Sequence, residues 1–398
     1  MDRGGWPALG TVRQVAIPEP VLPDYGGACL SSVVPAVLDR KTSVPGWLPA
    51  PLADAAQVLL LVVDGLGWRQ MLALAAHVPS LMEATGGPVT SVAPTTTATA
   101  LTSITTGSTP AEHGIVGYRM AVPASPPEHG LRRAGTASAR EVLDVLHWTT
   151  GAGDARRRIP ALEFQRRLPF GGLGVPVVTR SEFAMTGFSA AHLRGARLLG
   201  WRMPSSLVVE SLRLLGEGEP FVYAYYDGLD KVAHEHGLGE HYLSELRAID
   251  RLVADLAEGL PAGAVLLLTS DHGQVEVGAS AQLPEPELFA MLELISGEGR
   301  FRWLHAQPGA ADDLAKAAEE IYGEQAWVRT RQQIADDGWF GGPLDHEVAQ
   351  RLGDVALVAH QPVAFLDPAD TGETRLAGRH GSLTEDEMLV PLLCWPGR

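Results

Sequence analysis

The chain has 398 residues, 45% hydrophobic and 20% charged, with a formal net charge of −16. Such length and apolar content exclude a disordered chain and allow two or three compact units around sizeable cores. The acidic balance excludes nonspecific attraction to nucleic acid polymers or anionic membranes, since no basic run offsets it; the most basic cluster, Arg156-Arg157-Arg158, is only three residues long and reads as solvated surface.

Taken in order, residues 1–55 are rich in Pro and Gly and read as a lead-in around the core, with one short helix near Ser31–Leu38. A strand at 58–63 runs straight into Asp64-Gly65, and a helix follows over 68–77. After Pro94 comes a threonine-rich helix, with Ala98, Leu101 and Ile104 on one face, threonines as N-cap candidates and Gly107 as its stop. Residues 119–200, including the proline-rich stretch at 124–130 and an extended segment at 175–180, read as loops and edge elements around a cleft. A strand at 221–226 runs into Asp227-Gly228, with Asp230 and His234 just beyond, then a helix at 240–258 and a strand at 264–269 that leads to Asp271-His272.

This alternation of strand and helix predicts an α/β fold with a mostly parallel central sheet. Parallel sheets hold their ligands outside the carboxyl ends of the strands, so these acids and histidines share one expected cleft. A mixed carboxylate and imidazole set suits zinc or manganese. From about 276 to 355 the pattern changes to strand (300–306), helix (311–323), strand (326–331) and two short helices about a turn near 340, a small α+β insertion, with the core resuming at 353–365. The expected organisation is therefore a catalytic core of 1–275 and 356–398 interrupted by 276–355.

Cys29 and Cys394 imply no disulfide framework, although one tether between them stays open. No apolar run reaches secretory or membrane-spanning form, which reads as a cytoplasmic protein. A threonine hydroxyl at the start of the helix after Pro94 would lie at its positive end, where the helix field and a metal could stabilise an alkoxide; the plainer reading is a cap without chemistry. His113 reads as shaping the turn after this helix. Lys231 is either a phosphate contact or a surface lysine, and Trp201, Trp327, Trp339 and Phe340 either stack on a base or fill the core.

Five segments occur together in order: VVDGLGW at 62–68, PTTTATALTSITTGSTPAEHGIVGY at 94–118, DKVAHEHG at 230–237, TSDHG at 269–273 and GRHGSLTEDEMLVPLL at 378–393. In that order and spacing they resemble the alkaline phosphatase superfamily, and within it the bacterial form of the type I phosphodiesterase/nucleotide pyrophosphatase family. The resemblance implies an alkaline-phosphatase-like core and two divalent metal ions, usually zinc, with manganese possible. It places Asp230, His234 and His380 on one ion and Asp64, Asp271 and His272 on the other. It further implies a transiently modified threonine, Thr97 by spacing back from Thr106-Gly107, with Thr96 as the register alternative. Small phosphodiesters, dinucleotides or nucleoside-triphosphate-like compounds are the implied substrates. A phosphomonoesterase, a phosphonate hydrolase and an idle metal- or nucleotide-binding protein are the rival readings. The chain departs from many family members at Tyr118, where an asparagine would bind a phosphoryl oxygen; Tyr118 either donates in its place or walls the cleft.

Overall fold

A computed structural model describes residues 17–124, 139–370, 372 and 375–397. The first 16 residues of the lead-in and nearly all of the proline-rich stretch at 124–130 lie outside it.

The central sheet has seven strands: β1 (Gln57–Val63), β2 (Thr85–Thr90), β3 (Pro176–Arg180), β4 (Arg197–Trp201), β5 (Phe221–Tyr226), β6 (Ala264–Thr269) and β7 (Leu389–Pro396). Their order is β2-β7-β6-β1-β5-β3-β4. All neighbours are parallel except at β7, which runs antiparallel to both β2 and β6. Six of the seven β1 residues are buried, the continuous apolar run expected of a strand covered on both faces.

Alternation assigns those faces. Val58, Leu60 and Val62 pack in one core cluster with Val33 and Val37 of the helix Leu30–Leu38 and with Ala98 and Leu101 of the helix Thr97–Thr106. Leu59, Leu61 and Val63 pack in another with Leu207 and Leu214 of Pro204–Gly216 and Leu246 and Val253 of Glu240–Gly259. The sheet is thus flanked by helices on both sides, an α/β fold with a mostly parallel sheet.

In the register, Val62 lies beside both Tyr225 and Thr269, so β1, β5 and β6 end nearly level. The segments that follow them are therefore neighbours. The expected helix over 68–77 is broken into Trp68–Ala73 and a 3-10 turn at Ala75–His77, because Leu74 leaves helical geometry with φ −108° and ψ 16°.

A second, four-stranded antiparallel sheet joins Leu292–Glu298, Phe301–Ala306, Val355–Ala359 and Ala326–Thr330 in that order. The helix Ala311–Tyr322 buries Leu314, Ala318 and Tyr322 in its core. Val355–Ala359 belongs to this small sheet, not to the large one, so the boundary expected after residue 355 falls inside one of its strands. All five residues of that strand are apolar and buried, and nothing in such a run distinguishes one sheet from another. Between 119 and 154 a four-stranded sheet occupies part of the region expected as loops. Cys29 and Cys394 are both buried free thiols. No helix among the described residues is long and apolar enough to cross a membrane.

Candidate functional site

Four chain segments meet past the carboxyl ends of β1, β5 and β6. Asp64 follows β1 directly and is 3% exposed. Its backbone N–H donates to the Tyr226 carbonyl at 2.9 Å, fixing the turn to the neighbouring strand. Asp271 and His272 follow β6 and are fully buried. The Asp271 Oδ1 accepts from the backbone N–H of Gly65 at 3.1 Å and of His272 at 3.0 Å. Asp230 and His234 stand one turn apart on the helix Gly228–His236, with His234 Nε2 3.3 Å from Asp230 Oδ1. His380 follows the short strand Gly378–Arg379.

The three histidines are oriented in the same way. Nδ1 of His234 lies 2.8 Å from the Gly378 carbonyl, that of His272 3.0 Å from the Gly273 carbonyl and that of His380 2.8 Å from the Thr95 carbonyl. A carbonyl only accepts, so each Nδ1 carries the proton and, in the neutral ring, each Nε2 presents a lone pair. A backbone acceptor behind the ring is the usual orientation device of a ligating histidine.

Single donor atoms of Asp230, His234 and His380 all lie within 4.8 Å of one another, as do those of Asp64, Asp230 and His272. These two groups could each hold a metal ion. Asp230 is common to both, whereas the motif-based division gives it to one; Asp271 approaches the second through its Oδ2, 3.4 Å from His272 Nε2. The imidazoles of His272 and His380 stack at 3.5 Å and link the groups.

The donor set fits cations on physical grounds. Asp64 Oδ1 and Asp271 Oδ2 are buried without a hydrogen-bond partner among the described residues, and each lies 3.4 Å from the His272 Nε2. Two acceptors and a lone pair facing one space are unfavourable unless positive charge sits among them. The strain shows in proton affinities. Burial, and then the Asp271 and Asp230 carboxylates, push the Asp64 carboxyl well up. Burial chiefly raises that of Asp271 as well. Burial, then His272 and His234, holds the His380 imidazole well below its usual range.

Thr97 is the first residue of its helix and Thr96 the N-cap. The Thr97 Oγ1 lies 3.2 Å from His272 Nε2. Other threonines of the segment are occupied: Thr102, Thr105 and Thr106 donate to carbonyls of the preceding turn, and Thr95 donates to the Ser382 carbonyl at 2.7 Å. Gly107 closes the helix in the left-handed conformation, φ 64°.

Two cavities meet at Thr97 and Asp230. One, of about 390 Å³, includes Leu101, Phe183, Phe188, His192 and Tyr225; the other, of about 330 Å³, includes Thr96, Tyr118, His234, Glu298 and His380. Tyr118 thus walls the cleft, but its hydroxyl donates to Asp144 at 3.0 Å and its backbone N–H to Glu298 at 3.0 Å.

Several neighbours of the site carried no motif. The Tyr225 hydroxyl donates a short hydrogen bond to Asp64 Oδ2, and Gln274 donates to Asp230 Oδ1 at 2.5 Å. Alternation along β5 puts Tyr225 on the face that carries Thr97, the one sequence signal it offers. Arg300, in the turn between the strands Leu292–Glu298 and Phe301–Ala306, makes a bidentate pair with Glu387 at 2.8 Å, and Glu387 in turn accepts from the Ser382 N–H at 2.9 Å. This buried pair anchors the turn that follows His380.

The remaining candidates have structural partners. Lys231 forms an ion pair with Asp227, its Nζ 2.5 Å from Oδ2, and Arg180 donates to Asp227 Oδ1 at 2.6 Å. His236, the next histidine on the helix of His234, stacks on His241 at 4.0 Å and is in neither group. His113 Nδ1 accepts from the Ile115 N–H at 3.1 Å, so its Nε2–H donates to Ser103 at 2.8 Å, pinning the turn to the threonine helix. Trp201, Trp327, Trp339 and Phe340 are all buried in the cores.

Comparison with known proteins agrees with this architecture. The family described as type I phosphodiesterase/nucleotide pyrophosphatase matches residues 58–383. No curated protein matches significantly. Among solved structures, murine ectonucleotide pyrophosphatase/phosphodiesterase 5 superposes with a TM-score of 0.59 at 16% identity, over 85% of this chain and 87% of that one. Phosphonoacetate hydrolase from Sinorhizobium meliloti 1021, in complex with phosphonoformate, gives 0.57 at 18% identity, over 87% and 91%.

Proposed function

The chain belongs to the type I phosphodiesterase/nucleotide pyrophosphatase family, a family of metal-dependent phosphoester hydrolases, and from that premise we propose that it cleaves phosphodiester or pyrophosphate bonds in small nucleotide-like substrates through a covalent Thr97 intermediate. The observation that carries this reading is the Thr97 hydroxyl, 3.2 Å from His272 Nε2 at the start of a helix, beside two Asp/His groups.

In this reading Asp230, His234 and His380 hold one divalent ion, and Asp64, Asp271 and His272 the other, with Asp230 near both. Zinc is the expected metal and manganese the substitute. When bound, such a pair neutralises the substrate phosphate, favours the ionised nucleophile and stabilises the leaving oxygen. Thr97 Oγ1 attacks phosphorus, forming the P–O bond as the bond to the leaving alcohol or phosphate breaks and that group departs with a proton. Water then attacks the phosphothreonine ester from the opposite side, releasing the product and restoring the hydroxyl. The first-turn N–H groups of the helix favour negative charge at Thr97 in both steps. Thr96, as N-cap, is the register alternative.

Support for a threonine nucleophile comes from an inactive threonine-to-alanine variant of the murine structure, in complex with AMP. The likeness to phosphonoacetate hydrolase keeps phosphonate cleavage as the second reading. A soluble cytoplasmic enzyme acting on small molecules completes the proposal. Its test is hydrolysis of bis-p-nitrophenyl phosphate, p-nitrophenyl phosphate and phosphonoacetate by chelated protein resupplied with zinc or manganese. Preference for the diester supports the reading; preference for either other substrate replaces it.

A further inference from the structure

The two cavities at Thr97 differ in chemistry, and the larger carries a feature that the reaction does not use. Its walls are largely apolar, with Leu101, Phe183, Phe188 and Leu193. At about 390 Å³ it is within the range of small-ligand pockets. Among them lies His192, 5% exposed, with its ring stacked on Phe188 at 3.9 Å.

The tautomer of His192 is set by its neighbour. Nδ1 lies 2.7 Å from the Phe188 carbonyl, so Nδ1 is the N–H and Nε2 carries the lone pair. Nε2 has no hydrogen-bond partner among the described residues. Burial keeps the ring neutral, with its pKa lowered to about 4. An uncharged acceptor is therefore held in an apolar wall of the cavity that reaches Thr97. The cations around this cavity are committed: Lys231 and Arg180 both pair with Asp227. An anionic arm would meet no free charge there.

Resting on the phosphodiesterase reading, we propose that His192 is a specificity-determining residue, and that this cavity receives an uncharged, compact apolar arm of the substrate bearing one hydrogen-bond donor, which Nε2 accepts. A site built to bond a donor rejects the analogue without it, because an arm that fills the cavity strips the acceptor of water and leaves it unpaired.

The test uses two symmetrical diesters, bis[4-(hydroxymethyl)phenyl] phosphate and bis[4-(methoxymethyl)phenyl] phosphate. They have closely similar leaving groups, differ in one donor, and present the same arm whichever side is retained. The metal-loaded protein is expected to favour the hydroxymethyl ester in kcat/KM about fivefold to tenfold, the worth of one buried hydrogen bond. His192→Phe, which keeps a planar ring against Phe188 but removes the acceptor, should bring that ratio close to one. His192→Gln, which retains an acceptor, should restore part of it. No preference in the unsubstituted protein, or the same preference in His192→Phe, overturns the inference while leaving the hydrolase reading intact. If neither diester is turned over, bis-p-nitrophenyl phosphate decides the hydrolase reading and calorimetric binding of the hydroxymethyl diester decides the inference. Affinity several-fold weaker for folded His192→Phe upholds it; equal affinity, or none for either protein, overturns it.

Discussion

The hydroxyl of Thr97 and Nε2 of His272 lie 3.2 Å apart, joining the start of one helix to the segment after β6 across 175 positions of sequence. Among the described residues, no other hydroxyl of the threonine segment hydrogen-bonds a histidine of the two Asp/His groups. Thr97→Ala is expected to retain the metal content of the unsubstituted protein and lose turnover by about a thousandfold or more, whereas Thr96→Ala keeps most of it. Metal analysis beside steady-state rates checks this. Robust activity in Thr97→Ala would move the nucleophile to Thr96.

Removing metal should cost stability as well as activity. Without cations, Asp64, Asp230 and Asp271 share one region, and two of their buried oxygens have no hydrogen-bond partner among the described residues. Zinc at a hundredfold excess over its Kd is expected to add about 3 kcal/mol to unfolding. Thermal melts of chelated and resupplied protein measure it; coincident melts would mean that these groups hold no ion.

Tyr225→Phe deletes the hydrogen bond to Asp64 Oδ2 and nothing else of the ring. Metal affinity should fall about tenfold, as for other partners that orient ligating groups. Competition with a chromophoric chelator reads this directly, and unchanged affinity would deny the hydroxyl any role.

Arg300→Met leaves the Glu387 carboxylate buried without its partner and frees the turn after His380. A loss of about 3–5 kcal/mol is expected in urea unfolding. The double change Arg300→Met with Glu387→Gln should recover part of that loss, because no uncompensated charge remains.

Acid should weaken the fold through two buried histidines while the pH is still above the ordinary carboxylate range. Burial lowers the pKa of His113 to about 3, helped by the Arg351 and Arg167 charges, and burial lowers that of His305 also to about 3. Both rings bind protons more readily in the unfolded chain, whose histidines titrate near 6.5. Their stabilisation is thus complete above about pH 6.5 and is lost progressively as pH falls toward 3. Urea midpoints at pH 7 and pH 5 should differ in that direction, with a smaller difference in His113→Gln.

Much of the candidate site was legible because strand ends are local events. The runs ending at Val63, Tyr226 and Thr269 announce both the strand and the acid or histidine beyond it, and the parallel pattern brings those ends level. The orienting contacts were not legible. Tyr225 meets Asp64 across two strands, Gln274 meets Asp230 from another turn, and the carbonyls behind the histidines bear no side-chain signature. The sheet to which Val355–Ala359 belongs was equally hidden, since a wholly apolar strand satisfies either neighbour. Asp230 standing in both groups is a distance, and spacing along a chain does not contain it.

His380 is delivered by the segment that leads into β7, and β7 lies between β2 and β6, antiparallel to both. A chain in which that strand has not yet docked still has Asp230 and His234 one turn apart on their helix, but it lacks the third donor and the stacked ring that links the two groups. On the two-ion reading, capture of both ions would therefore require this strand to be in place in the interior of the sheet. An ion at both groups would then certify a finished sheet, and metal supplied during refolding would act as a latch on the completed structure, with little hold on its precursors.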